Sequence, residues 1–155
     1  MWVVIGCGNP VRGDDGAGPA VIAALRTRLG ARAGVRLLDA GTDGMAVVYG
    51  MRGARRLDIV DATVSGSPPG TLFELPGEEA AEAPPPGGGL HDFRWPHALY
   101  VGRRLLGDAF PAEVRVHLIE AARLDYGTEL SPAVAGAVAR LVARLAARIE
   151  GDGGR

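Results

Sequence analysis

Four aspartates and one histidine stand where this chain could do chemistry. Asp14 and Asp15 lie in a glycine-punctuated loop, Gly6-Cys7-Gly8-Asn9-Pro10-Val11-Arg12-Gly13-Asp14-Asp15-Gly16. Asp39 and Asp61 each close an apolar run, and His91 follows a stretch rich in proline and glycine. Asp15, Asp61 and His91 together make two carboxylates and an imidazole, a donor set suited to a first-row divalent metal with open positions. The carboxylates alone could form an acid/base set. Each residue also has a plainer reading: a helix cap for Asp14 or Asp15, an exposed strand end for Asp61, an ordinary surface-loop histidine for His91. Neighbours on a helical turn point about 100° apart, so one of the Asp14–Asp15 pair can cap while the other ligates.

Other reactive side chains read as structural. His97 stands beside Pro96 at a helix start, where it caps or packs, and His117 lies between Val116 and Leu118 as a hydrogen-bonded strand residue. Cys7 reads as a buried small residue at a strand end rather than a nucleophile. The Gly6-Cys7-Gly8 turn begins like a dinucleotide fingerprint, but Val11 stands where the third glycine is needed. An acid pair at a helix entrance would in addition repel a pyrophosphate. Neither G-x-S-x-G nor H-E-x-x-H occurs in the sequence.

The elements that must position these residues alternate between strand and helix. Trp2–Ile5 reads as a strand buried on both faces, and the helix that follows begins near Gly18, carries Val21, Ile22, Leu25 and Leu29 on one face, and stops at Gly30. Further strands are expected at 35–38, 57–60, 71–75 and 114–119, with a short helix from the turn Gly41-Thr42-Asp43-Gly44 through about Met51, and others through Leu99–Leu106 and from Ser131-Pro132 onward. This pattern implies a three-layer α/β sandwich around a mostly parallel five-stranded sheet. Ligands bind beyond the carboxyl ends of strands in such sheets, which is where Asp15, Asp39 and Asp61 would lie. The order of the strands is not readable from the sequence. Residues 76–89 read as a mobile surface loop, 1–150 as one domain, and 151–155 as a frayed tail.

Composition narrows the partners. With 155 residues and 47% of them apolar, the chain is the size of one domain with a sizeable core. A net charge of −1 without a basic patch argues against nucleic acid. One cysteine permits no internal disulfide, and no run approaches the roughly 20 apolar residues of a membrane span. The opening Met-Trp-Val-Val-Ile-Gly lacks the basic region and length of a signal peptide. The expectation is a cytoplasmic protein with no membrane partner, for which a monomer suffices.

Several segments resemble one family. Gly6-Cys7-Gly8-Asn9-Pro10 followed by Gly13-Asp14-Asp15-Gly16-Ala17-Gly18-Pro19 is similar to the opening motif of the hydrogenase maturation proteases. Asp39-Ala40-Gly41-Thr42-Asp43-Gly44-Met45, Leu57-Asp58-Ile59-Val60-Asp61-Ala62, Pro69-Gly70-Thr71, Leu90-His91-Asp92-Phe93 and Leu130-Ser131-Pro132 resemble later family segments, in the same order. The resemblance implies a five-stranded twisted sheet between helices, and an endopeptidase that removes the C-terminal extension of a nickel–iron hydrogenase large-subunit precursor after nickel insertion. It implies that Asp15, Asp61 and His91 sense the nickel, and that Asp39 borders the cleft and helps recognise or cleave the substrate. Asp15 stands where the family often has Glu, Leu90 where it often has Ser, and Arg94 where it often has Gly. These differences leave the ligand set intact and point to a subgroup with its own hydrogenase.

A three-ligand, exposed site would hold metal weakly, so no tightly bound cofactor is expected and nickel would arrive with the precursor. The catalytic set would then be Asp15, Asp61 and Asp39, with the metal either polarising the scissile carbonyl or serving only recognition. The rival from another class is a non-catalytic nickel chaperone or checkpoint protein using the same residues, although the chain has no histidine- or cysteine-rich tract.

Overall fold

A computed structural model describes residues 1–153. Strand β1 (Trp2–Cys7) is buried along its whole length, as its unbroken apolar run requires. It is followed by helix α1 (Ala17–Leu29), strand β2 (Val35–Gly41), helix α2 (Gly44–Gly50), strand β3 (Arg56–Thr63), strand β4 (Leu72–Pro76) and the short helix α3 (Gly77–Ala80). Helix α4 (Trp95–Leu106), strand β5 (Glu113–Glu120) and helix α5 (Pro132–Asp152) complete the chain. The sheet order is β2-β1-β3-β5-β4; β1 pairs in parallel with β2 and β3, β3 pairs in parallel with β5, and β4 joins β5 antiparallel. The expected five-stranded, mostly parallel sandwich is therefore present.

Strand alternation divides the interior into two cores. Trp2 and Val4 belong with α1 and α5 on one face, through Val21, Leu25, Leu141 and Leu145. Val3, Ile5 and Cys7 belong with α2 and α4 on the other, through Val47, Met51 and Leu99. In β3 the same alternation puts Leu57 and Ile59 in the second core and Val60 in the first. Asp58 is therefore turned toward α5, where it is buried and accepts Trp2 Nε1–H at 2.6 Å and pairs with His117 Nε2 at 2.6 Å. Arg148 of α5 approaches the same carboxylate at 3.6 Å.

Two boundaries differ from the sequence expectation. Residues 76–80 are not loop: Pro76 ends β4, 77–80 form α3, and Gly77 is buried against Val114. The irregular stretch begins at Ala81 and is tied down at Glu82, whose N–H donates to the Pro96 carbonyl at 3.0 Å. The last helix continues through Gly151 to Asp152, where Arg56 pairs with the Asp152 carboxylate. Residues 154–155 of the expected tail lie outside the described residues. No helix among the described residues is long and apolar enough to cross a membrane.

Candidate active site

The loop after β1 makes the first wall of the site. Gly8 has φ +129°, a conformation L side chains rarely adopt, and a Cβ there would run into the Asp15 carbonyl oxygen. With the loop folded this closely, Asn9 N–H donates to Asp15 Oδ2 at 2.7 Å, and Asn9 Oδ1 accepts Val11 N–H at 3.1 Å. Asp15 is half-buried on a 3-10 turn, Gly13–Gly16, that leads into α1.

Its neighbour Asp14 turns inward. It is fully buried and accepts the N–H groups of Ala122, Arg123 and Ser131 and the Ser131 hydroxyl, at 2.7–3.1 Å. Burial alone would raise its pKa, but the four donors outweigh it and hold the carboxyl below its ordinary range. Asp14 is thus a structural anchor, and Asp15 the member of the pair that faces the cleft.

The end of β3 makes the second wall. Asp61 lies three residues after Asp58 and so turns to the opposite face, the side of α2 and α4. Its Oδ1 accepts Ala62 N–H and its Oδ2 accepts Trp95 Nε1–H, both at 2.8 Å. Burial, reinforced by the nearby Asp15 charge, prevails over these bonds and over the charge of Arg94, and pushes the Asp61 pKa up to about 6.

The starts of α2 and α4 close the site. Asp43 caps α2 by accepting Met45 N–H at 2.9 Å, and Gly44 N–H donates to the Phe93 carbonyl at 3.1 Å. A Cβ on Gly44 would strike that carbonyl, so glycine allows α2 to meet the chain entering α4. The resulting cleft measures about 360 Å³ and is lined by Asp15, Asp61, Thr42, Val47, Arg94 and Trp95 among others.

Asp15 and Asp61 therefore share one cleft at the carboxyl edge of β1 and β3. His91 does not join them here: it sits on the exposed turn Leu90–Asp92, its side chain 85% accessible and its Nε2 3.3 Å from Asp92 Oδ2. Among the described residues, no three His, Cys, Asp or Glu side chains come together as a group able to hold a metal ion. Asp39 is exposed at the end of β2 and outside the cleft lining, its Oδ1 accepting Gly41 N–H at 3.0 Å. Alternation explains its position, because Leu38 and Ala40 belong to the core on the cleft side and Asp39 lies between them. Cys7 is buried in the cleft floor, where burial and the charges of Asp61, Asp39 and Asp15 push its thiol pKa up and keep it from being a nucleophile. His97 caps α4, its Nδ1 accepting Arg94 N–H at 3.0 Å.

Trp95 has no role in the sequence reading. The available signal was an indole N–H at a helix entrance, a donor that must find a partner when buried. In chemical terms, the cleft offers two convergent carboxylates, one titrating close to neutrality. Asp61 can pass a proton near neutral pH, and both carboxylates can supply oxygen ligands to a divalent cation brought in by another molecule.

Comparison with known proteins identifies the family and the fold. The family model described as hydrogenase maturation protease matches residues 19–148. The hydrogenase expression/formation protein HupD of Rhodobacter capsulatus is 30% identical over 136 residues, 86% of this chain and 64% of that protein. HoxM of Cupriavidus necator is 40% identical over 72 residues, 46% of this chain and 36% of that protein. The match spans about a third of the length of HoxM of Cupriavidus necator and of HupD of Thiocapsa roseopersicina. Among solved structures, the hydrogenase maturating endopeptidase HybD from E. coli superposes with a TM-score of 0.82 at 26% identity, over 99% of this chain and 94% of that one. The HybD maturation protease from Thermococcus kodakarensis gives 0.68 at 27% identity, over 96% and 99%. The match of the family model across most of the chain means that this chain belongs to the hydrogenase maturation protease family.

Proposed function

We propose that this chain is an endopeptidase that removes the C-terminal extension of a nickel–iron hydrogenase large-subunit precursor once nickel has been inserted. The observation that carries this reading is the meeting of Asp15 and Asp61 in one cleft, in a member of the hydrogenase maturation proteases. Nickel belongs to the substrate in this reading, and the enzyme needs no tightly held cofactor. Asp15 and Asp61 offer oxygens to the precursor's nickel. His91, on the exposed turn before α4, supplies the imidazole of this contact in the docked complex. A precursor without nickel lacks this anchor and is left uncut.

In the hydrolysis, water adds to the scissile carbonyl carbon, the C–N bond breaks, and one water proton passes to the departing amine. Asp61, held in the cleft by Ala62 N–H and Trp95 Nε1–H, is suited to take that proton and return it. Asp15, held by the Asn9 N–H, orients the metal-bearing segment. Asp39, exposed beside the cleft, contacts the precursor's tail rather than the reacting bond. In this reading the enzyme acts as a monomer in the cytoplasm.

The test incubates nickel-loaded and nickel-free precursor with wild-type enzyme, Asp15→Ala, Asp61→Ala and His91→Ala, and follows the mass of the large subunit. Cleavage is expected only with nickel and wild-type enzyme. Processing that survives in both Asp15→Ala and Asp61→Ala would overturn the assignment, and nickel-dependent binding without cleavage would make the chain a chaperone.

A further inference from the structure

The carboxylate of Asp61 is held at both oxygens. Ala62 N–H fixes Oδ1 from the strand itself, and Trp95 Nε1–H reaches Oδ2 from 34 residues away. A single donor would leave the group able to rotate about its Cβ–Cγ bond, whereas two donors on opposite oxygens set its plane.

The indole making the second contact is itself immobilised. Trp95 is the first residue of α4, and the backbone just before it is fixed twice. Arg94 N–H donates to His97 Nδ1 at 3.0 Å, and the Phe93 carbonyl accepts Gly44 N–H at 3.1 Å. The ring packs against the apolar core shared by α2 and α4. An indole N–H only donates, so it can bind the carboxylate but cannot compete with it as a ligand or base. The other tryptophan, Trp2, makes the same type of bond to Asp58 at 2.6 Å, but there both partners are buried and away from the cleft. At Trp95 the bond opens onto the cleft, where a wall made only for packing would need no donor.

We infer that Trp95 is a positioning residue for the reaction: its indole N–H holds the Asp61 carboxylate in the one orientation in which it meets Asp15 and the incoming substrate. The kinetic half of this inference rests on the protease reading above. A misplaced catalytic group costs rate more than it costs substrate binding.

The experiment has two arms. In protein carrying 15N-labelled tryptophan, the two indole N–H signals are assigned with Trp2→Phe and Trp95→Phe. Asp61→Ala is expected to move the Trp95 signal and speed its exchange with water, leaving the Trp2 signal in place. A Trp95 signal that does not respond to Asp61→Ala would overturn the inference, and this arm keeps Trp95 itself intact. In the second arm, Trp95→Phe is assayed on nickel-loaded precursor. The expected result is a kcat lower by roughly tenfold or more, with the melting temperature close to wild type. An unchanged kcat, a change confined to KM, or a loss of rate matched by a loss of stability would each overturn it. Wild-type enzyme that leaves the nickel-loaded precursor uncut would overturn the protease reading and the kinetic arm together, while the indole signals still decide whether Trp95 holds Asp61.

Discussion

Ser131 binds Asp14 twice, through its backbone N–H to Oδ1 at 2.7 Å and through its hydroxyl to Oδ2 at 2.8 Å. This pair ties the start of α5 to the turn that presents Asp15, so the position of the cleft acid depends on a contact 117 residues away in sequence. Replacing Asp14 by Ala strands several buried donors at once. The expected loss is about 2–4 kcal/mol in urea unfolding at pH 7. Because the folded carboxyl titrates below its ordinary value, its contribution is present above the unfolded pKa and disappears as pH falls through the folded one. The gap between wild type and variant should therefore close in strong acid; a gap independent of pH would contradict this account.

Asp61 has the opposite sign. Its folded pKa is raised to about 6, so the folded state binds the extra proton between the unfolded pKa of 3.8 and 6, and stability falls as pH rises through that window. Asp61→Asn removes the charge, so above pH 6 it is expected to stabilise the fold by about 1–2 kcal/mol, less than the full shift because the group is partly screened by solvent. Below pH 4 the two proteins should unfold alike. Thermal unfolding across pH measures this directly. In the wild type, kcat/KM for precursor cleavage should fall as pH drops through about 6, since a protonated Asp61 can neither ligate nickel nor accept a proton.

His91 is exposed and packs against little, so His91→Ala should leave the melting temperature unchanged. Cleavage of nickel-loaded precursor should nevertheless fall by at least about tenfold, the order expected for loss of a metal-anchoring contact. Wild-type rates in the variant would remove His91 from the site.

Cys7→Ala should keep most of the cleavage activity, because the thiol is buried and stays protonated. The native wild-type protein should resist iodoacetamide, and the unfolded chain should react. Modification of the native protein with loss of activity would show a nucleophile where none is expected.

Much of this was legible in the residues. Val3–Val4–Ile5 and Ile59–Val60 are apolar on both faces, which marks central strands, and an acid placed directly after such a run must emerge at the rim. Asp61 is found in this way. Asp14 and Asp15 were separable only in principle, because the donors that bury Asp14 come from Ala122, Arg123 and Ser131, far along the chain. The edge position and antiparallel pairing of β4 depend on tertiary contacts with β5 and have no local signature. The placement of His91 outside the cleft follows from a three-residue turn whose sequence fits many orientations. Trp95 escaped notice because its partner is set by packing of α4 against the sheet rather than by spacing.

Strand β3 carries two acids three residues apart, Asp58 on one face and Asp61 on the other. One is tied into the interior and the other opens onto the cleft, with the thickness of the sheet between them. The strand therefore behaves like a two-sided circuit board, on which either face can be rewired without disturbing its opposite. Substitutions around Trp2 and His117 can accumulate without reshaping the cleft, and changes at the cleft end of the strand leave the Asp58 network in place. A one-residue insertion between Asp58 and Asp61 has no such licence, since it would put both acids on the same side and break both circuits at once.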